Sequence, residues 1–301
     1  MKISLTGTTT FIGPAVIGRL LDSGHHINCL VKIDTPHGKI DKIKNIAGLK
    51  KKEDRLSFHA GNLHSTDSIL NHLKDSDAAV CLVDLKNTGF IKNILTAVSR
   101  SAVKRVIFIG STTVLVPFDS EIKKAKLLSE ELIKKSGLDF TILRPSMIYG
   151  TPDDRNFSKM ISFINKRGFF VVFGRGDNLI QPVHVEDVAG AIAAVIEKPA
   201  TFGKTYEIPG RAPLKYKEML EIVKSKLGSQ FRIYYLPIGI SRIAVKLYSR
   251  LVPSSSLKPD MIDRMEIDKA YSYENASEDF GYEPMPFETG IEKFIKHLEK
   301  N

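Results

Sequence analysis

Short apolar runs alternate with amphipathic stretches through the first half of the chain. Lys2–Thr6 is a short apolar run that leads into a Gly/Thr turn. Phe11–Leu21 then places Ile12, Val16, Ile17, Leu20 and Leu21 at helical spacing and stops near Gly24. His26–Val31, Leu56–Ala60, Ala78–Val83, Val106–Gly110 and Phe140–Leu143 read as further strands, separated by helical patterns at Asp67–Leu73, Phe90–Ser99 and Ile122–Lys135. Strand, helix, strand repeated in this way predicts a parallel sheet with helices on both faces. Right-handed crossovers then make it a doubly wound, Rossmann-like α/β fold.

After about Thr151 the pattern loosens. Helices are predicted at Met160–Lys166, Val185–Ile196, Tyr216–Leu227 and Ile238–Leu251, and strands at Phe169–Phe173 and Thr205–Ile208. Phe287–Leu298 carries Ile291, Phe294, Ile295 and Leu298 on one helical face. Pro253–Pro259, with its three serines, reads as a loop. Residues 1–150, completed by parts of 181–210, are expected to form the doubly wound domain. Residues 151–180 and 211–301 are expected to form a smaller C-terminal α/β lobe.

The chain has 301 residues and is 43% apolar, enough for a substantial core and too much for disorder. Two cysteines exclude a disulfide framework and a multi-cysteine zinc site. Cys29 and Cys81 fall in strands two and four, which flank strand one in the usual order. Two strand spacings of ~4.8 Å separate them by nearly 10 Å, beyond the ~7 Å that a disulfide spans, so buried free thiols are expected. His25 and His26 have no further ligand at metal spacing, and no metal is expected. No run reaches the ~18 apolar residues of a membrane span, and the N-terminus lacks a signal-like apolar region, so a cytoplasmic protein is expected. The net charge of +10 suits phosphorylated ligands, an anionic membrane surface or nucleic acid. No nucleic-acid recognition motif accompanies it, and that partner is not expected.

Thr6-Gly7-Thr8-Thr9-Thr10-Phe11-Ile12-Gly13 follows the first strand and opens the first helix, where a parallel sheet places a phosphate-binding turn. Gly7 suits the tight turn and Gly13 the close packing of helix on strand.

The segment resembles the Thr-Gly-x-x-Gly-Phe-x-Gly turn of the short-chain dehydrogenases/reductases, in the extended branch that includes nucleotide-sugar epimerases and dehydratases. Val106–Val114 (VIFIGSTTV) is similar to that branch's strand carrying the catalytic Ser/Thr, and Leu143–Gly150 (LRPSMIYG) to its loop over the nicotinamide ring. Gln181–Ile192 (QPVHVEDVAGAI) resembles its Val-His-Val-Asp-Asp-Val-Ala helix start, and Phe280–Gly290 (FGYEPMPFETG) its C-terminal Gly-x-x-Pro signature. The likeness runs in order through nearly the whole chain. It implies a dinucleotide held by Gly7, Thr9, Thr10, Phe11, Ile12 and Gly13 at the turn, Lys32 after strand two, Asn62 and Leu63 after strand three, and Leu82 and Val83 after strand four. Lys126, Pro145 and Ile148 complete the implied set.

The sequence departs from the pattern in three places. Thr10 stands at the family's second glycine, where its hydroxyl either donates to a phosphate or crowds the ligand. The family's proton relay, Tyr-x-x-x-Lys, aligns with Ile122 and Lys126, and none of the nine tyrosines has a lysine four residues later. Isoleucine cannot transfer a proton. Asn62 replaces the Asp that usually touches adenine, but keeps a carbonyl acceptor.

Ser111 aligns with the catalytic Ser/Thr; it either holds a substrate oxygen or caps backbone. Lys126 either binds ribose hydroxyls or pairs with Glu130 on a solvated face. Tyr149, Asp119 and Glu121 are the candidate substitute acids. Arg155, Arg167 and Arg175 either grip a sugar-nucleotide phosphate or make surface pairs. His184 and Asp187 are expected to anchor the following helix, Asp187 as its cap. An acidic residue after strand two suits NAD and a basic one NADP; Lys32, with Lys39, Lys42, Lys44, Lys50, Lys51 and Lys52 beyond it, tilts the balance to NADP although Asp34 follows. Ile238–Leu251 is amphipathic and basic, which suits an anionic membrane surface, a protein partner or the lobe's own core.

Two functions follow from the resemblance. One is a divergent oxidoreductase or nucleotide-sugar epimerase/dehydratase acting on a carbonyl or sugar nucleotide, with its acid–base group supplied from elsewhere. The other is a non-catalytic NAD(P)-binding sensor or scaffold, a role the fold also serves in redox regulators and respiratory accessory subunits.

Overall fold

A computed structural model describes residues 1–44, 50–154, 156–252 and 265–299. Strand β1 (Lys2–Thr6) leads through the Thr-rich turn into α1 (Gly13–Asp22). β2 (His26–Lys32), α2 (His37–Lys44), β3 (Leu56–Gly61), α3 (Thr66–Leu73), β4 (Ala78–Cys81) and α4 (Thr88–Ser99) follow. Next come β5 (Arg105–Ile109), α5 (Glu121–Lys134), β6 (Asp139–Pro145), β7 (Ile148–Tyr149), α6 (Phe157–Arg167), β8 (Phe169–Phe173), β9 (Leu179–Ile180) and β10 (Val183–His184). Beyond them lie α7 (Val185–Ile196), β11 (Lys204–Ile208), β12 (Leu214–Lys215), α8 (Tyr216–Leu227), β13 (Arg232–Leu236) and α9 (Ile238–Leu251). Helices Glu274–Phe280 and Phe287–Glu299 complete the described chain. The expected loop Pro253–Pro259 lies outside the described residues.

The chain divides into two compact units. The first comprises Met1–Ser146, Val185–Ile208 and Ser272–Glu283; the second comprises Met147–His184, Pro209–Tyr271 and Pro284–Asn301. The first contains a seven-stranded sheet in the order β11-β6-β5-β4-β1-β2-β3, parallel throughout. The order reverses at β1, beside the Thr-rich turn, which is where open α/β sheets bind ligands. Strand side chains alternate: Ala79, Cys81, Val106 and Phe108 meet Ile69 and Leu73 of α3, Ile91, Ile94 and Val98 of α4, and Ile133 of α5. α7 packs against α1 and against strands β5 and β6.

Cys29 and Cys81 lie on β2 and β4, on either side of β1, as buried free thiols. Arg105 ties β5 to the end of α7: its guanidinium donates to the carbonyls of Val195 and Ile196 and to Thr201 Oγ1 at 2.5, 3.1 and 3.0 Å. Burial lowers this guanidinium to about 10. Residues Ser272–Glu283 group with the first unit through Asp279, which accepts from Tyr206 at 2.5 Å and Lys204 at 2.7 Å.

The second unit has its own core. Phe157, Met160, Ile161 and Ile164 of α6 recur at helical spacing and meet Met219, Leu220 and Val223 of α8 and Phe287, Ile291, Phe294 and Ile295 of the last helix. Gly168, with φ +70°, ends α6 in the left-handed conformation and turns the chain into β8. β8 pairs in parallel with β13, a strand absent from the sequence reading, whose Tyr234 and Tyr235 are exposed.

Candidate functional site

The Thr-rich turn closes on itself: Thr10 N–H donates to the Gly7 carbonyl and Gly13 N–H to the Thr10 carbonyl, both at 3.0 Å. This delays α1 to Gly13, two residues beyond the predicted start. Gly7 has φ +76°, and a Cβ there would lie 2.8 Å from the Leu82 backbone; on Gly13 it would meet the Thr8 carbonyl oxygen at 1.9 Å. Gly7 is therefore required by conformation and contact, and Gly13 by contact alone. Thr8 Oγ1 reaches the Leu30 carbonyl at 3.2 Å and anchors the turn to β2.

No side chain caps α1, and its first turn carries no carboxylate. Its start is left with a partial positive charge and backbone donors to offer an anion. The Thr10 hydroxyl is buried and has no hydrogen-bond partner among the described residues. An uncapped helix start, a glycine-tight turn and an orphaned hydroxyl fit a diphosphate. Thr9 is exposed, Phe11 half-buried and Ile12 buried.

The other implied cofactor residues are mostly arranged along the same sheet edge. Lys32 ends β2, exposed, in register with Gly61 of β3. Asn62 follows; its Oδ1 accepts from His64 N–H at 2.9 Å, so part of the acceptor capacity expected for adenine is already used in a local turn. Leu63 is half-buried, and its carbonyl accepts from Asn93 at 2.9 Å. Leu82 and Val83 run past the pairing of β4; Leu82 N–H donates to the Thr6 carbonyl, and Val83 packs into the core. Pro145 is buried at the end of β6. Ile148 belongs to the second unit, half-buried on β7 opposite Val183.

The relay segment looks different. Ile122, at the family's Tyr position on the first turn of α5, is 50% exposed. Ser111 Oγ accepts from Thr113 N–H and shares a 2.8 Å hydrogen bond with Thr113 Oγ1, so it caps a short 3₁₀ turn. Lys126 does not pair with Glu130 on a solvated face, as one expectation had it. It is buried and ion-paired to Asp84 at 2.7 Å.

Glu130 is buried as well, gripped by Arg144 through two hydrogen bonds of 3.0 and 2.5 Å; Arg144 also reaches Glu207 at 2.9 Å. Burial works against the Arg144 guanidinium, but both carboxylates outweigh it and raise its pKa. Burial likewise works to raise the Asp84 carboxyl. The hydrogen bond and charge of Lys126, with Lys86 N–H, outweigh it and hold Asp84 below the usual carboxylate range.

The candidate substitute acids stand elsewhere. Tyr149 is buried in the second unit, donates to the Phe287 carbonyl at 3.4 Å, and stacks among Phe157, His184 and Phe287. It is a packing tyrosine. Gly290 fits beside it because a Cβ there would lie 2.1 Å from the phenol oxygen. Asp119 is exposed, and Glu121 pairs with Lys124 on the helix surface at 3.0 Å. Asp187 lies inside the first turn of α7, which begins at Val185, so it meets the helix dipole without being the cap. Arg167 and Arg175 are exposed; Arg155 lies outside the described residues.

The sequence reading missed Asp84, Arg144 and Glu207. Asp84 had a local signal, a carboxylate just beyond Leu82-Val83. Glu207 had none, since it reaches Arg144 only through the pairing of β11 with β6.

A family model described as NAD(P)H-binding matches residues 7–199. The chain belongs to this NAD(P)H-binding family. It is 32% identical over 152 residues to the mitochondrial NADH dehydrogenase (ubiquinone) 1 alpha subcomplex subunit 9 of Arabidopsis thaliana, covering 50% of this chain and 38% of that protein. It is 22% identical over 326 residues to a 3 beta-hydroxysteroid dehydrogenase/Delta 5→4-isomerase of Mycobacterium tuberculosis, covering 94% and 86%. The crystal structure of UDP-glucuronic acid 4-epimerase from Bacillus cereus with UDP-glucuronic acid and NAD superposes with a TM-score of 0.77 at 18% identity, over 100% of this chain and 99% of that one. The fold is that of the extended short-chain dehydrogenases/reductases. Among the described residues, no helix is long and apolar enough to cross a membrane.

Proposed function

We propose that this NAD(P)-binding protein keeps its dinucleotide as a bound ligand, in a sensing or scaffolding role, and does not turn it over through the family's proton relay. The observation that carries this reading is the half-exposed Ile122 at the relay position, four residues before a Lys126 already neutralised by Asp84. The start of α1 and the Thr10 hydroxyl would hold the diphosphate, and Asn62 with Leu63 the adenine. Lys126 with Asp84 would face the ribose diol. The exposed Lys32 suits the 2′-phosphate of NADP. The bound nicotinamide would bring hydride chemistry that no neighbouring phenol completes. The likeness to an NADH dehydrogenase subunit supports a place in a larger redox assembly.

A second reading, a divergent oxidoreductase or epimerase acting on a carbonyl or sugar nucleotide, is favoured by one observation. Asp84 sets a carboxylate 2.7 Å from Lys126, where it would accept a proton from a substrate hydroxyl, although its ion pair makes it a weak base. Fluorescence titration with NADPH and NADH, followed by assays on carbonyls and sugar nucleotides, separates the two. Binding without turnover, tighter for NADPH and weakened by Lys32→Glu, supports the first reading. Turnover abolished by Asp84→Asn establishes the second.

A further inference from the structure

Helix α9 is built inside out for a water-soluble surface. Of its fourteen residues only Ser241 and Val245 are buried. Ile240, Ile243, Leu247 and Leu251 are 54, 63, 55 and 82% exposed. At ~100° per residue these four share an arc of about 80° on the side away from the buried pair. A helix that covers a core turns such a stripe inward; this one turns it out.

Arg242, Lys246 and Arg250 line the adjoining arc, also exposed. Their spacing of four residues keeps all three along one edge of the apolar stripe. Charge is lopsided over a longer stretch: between Glu221 and Asp260 the sequence has seven lysines and arginines and no carboxylate. Tyr248 on the helix, and Tyr234 and Tyr235 on the preceding strand, are exposed as well. Tyrosine, like tryptophan, favours the boundary between headgroups and acyl chains.

We propose that α9 is a membrane-surface anchor that lies in the interface of an anionic lipid bilayer. The four aliphatic side chains enter the acyl boundary, and Lys246 and Arg250 keep their charges among anionic headgroups while their stems lie along the stripe. The helix cannot span. Fourteen residues cover ~21 Å against a hydrocarbon core of ~30 Å. Charge complementarity selects an anionic lipid surface over a protein groove: an apolar groove would satisfy the stripe but leave the exposed Lys246 and Arg250 along its edge unexplained. This surface is independent of the nucleotide site.

The test is flotation of the full-length protein with vesicles of phosphatidylcholine alone or mixed with phosphatidylglycerol. The proposal expects binding to the mixed vesicles that weakens with added salt. Lys246→Ala and Arg250→Ala should each lower the partition coefficient roughly fivefold, and Leu247→Asn roughly tenfold. Because these side chains are exposed, circular dichroism and thermal melting should not change. Failure to bind either vesicle, or equal binding to both, would overturn the proposal. So would a self-associated protein in sedimentation equilibrium that Leu247→Asn converts to monomer, since the stripe would then be an interface between copies of this chain.

Discussion

The Thr-rich turn and the relay segment lie in the same unit and have fared in opposite ways. At the turn, the substitution that breaks the family pattern is accommodated. Thr10 closes the turn through its backbone, leaves its hydroxyl without a partner, and lets Gly7 and Gly13 make their close approaches. At the relay, each remaining group has found a partner: Ser111 caps its own turn, Lys126 holds Asp84, and Ile122 offers nothing to titrate. Backbone geometry that suits an anion survives a side-chain change. Proton transfer depends on one side chain and does not. Binding and chemistry can therefore part company in one fold.

An ion-pair network nonetheless holds the relay helix to the sheet, and removing it should have the largest effect. Arg144→Leu would leave the Glu130 and Glu207 carboxylates without their cation, with Glu130 almost wholly buried. A loss of about 3–5 kcal/mol in urea unfolding is expected. A loss below about 1 kcal/mol would mean that the network is ornamental and the relay helix is held otherwise.

Acid should probe the layer beneath the turn. His72 on α3 is buried, and burial, with the neighbouring His59 behind it, pushes its pKa down to about 4. The unfolded chain takes up that proton near pH 6.5, the folded chain only near 4. Stability is therefore complete above about pH 6.5, declines by up to about 3 kcal/mol as pH falls to about 4, and declines no further below it on this account. His72→Gln should flatten that part of the profile in pH-dependent unfolding; an unchanged slope would place the acid sensitivity elsewhere.

Gly13→Ala sharpens the comparison at the turn itself. The new Cβ would meet the Thr8 carbonyl, and the opened turn should cost about 1–3 kcal/mol of nucleotide affinity, read by calorimetric titration. An unchanged affinity would remove the turn from the binding site. Ile122→Tyr is expected to have the smallest effect. The position is half-exposed, so stability should move by no more than about 0.5 kcal/mol. Turnover should stay at background, because Lys126 remains paired with Asp84. A clear gain in rate would show that the phenol was the only missing part.

Much of this was legible in the sequence because it rests on local patterns. β8, α7, α8 and α9 fall on their predicted bounds, and the sheet order follows from strand–helix alternation. The short strands β7, β9, β10 and β12 escaped because two residues carry no periodicity. β13 escaped because its exposed tyrosines do not alternate with buried residues. At the site, the glycines were readable from their place between strand and helix, and the absent Tyr from the family resemblance. The partners that decide what the remaining groups do were not: Asp84 meets Lys126 across 42 positions and Glu207 meets Arg144 across 63, contacts made only by the folded sheet.

The central claim is a dinucleotide held without being used. Its most direct test is a calorimetric titration of the purified protein with NADPH, followed by single-turnover monitoring of nicotinamide absorbance as carbonyl and sugar-nucleotide substrates are added. The account predicts saturable binding at one site per chain and an absorbance that does not change. Oxidation of the bound nucleotide in step with any one substrate, or no binding at saturating concentration, would contradict it.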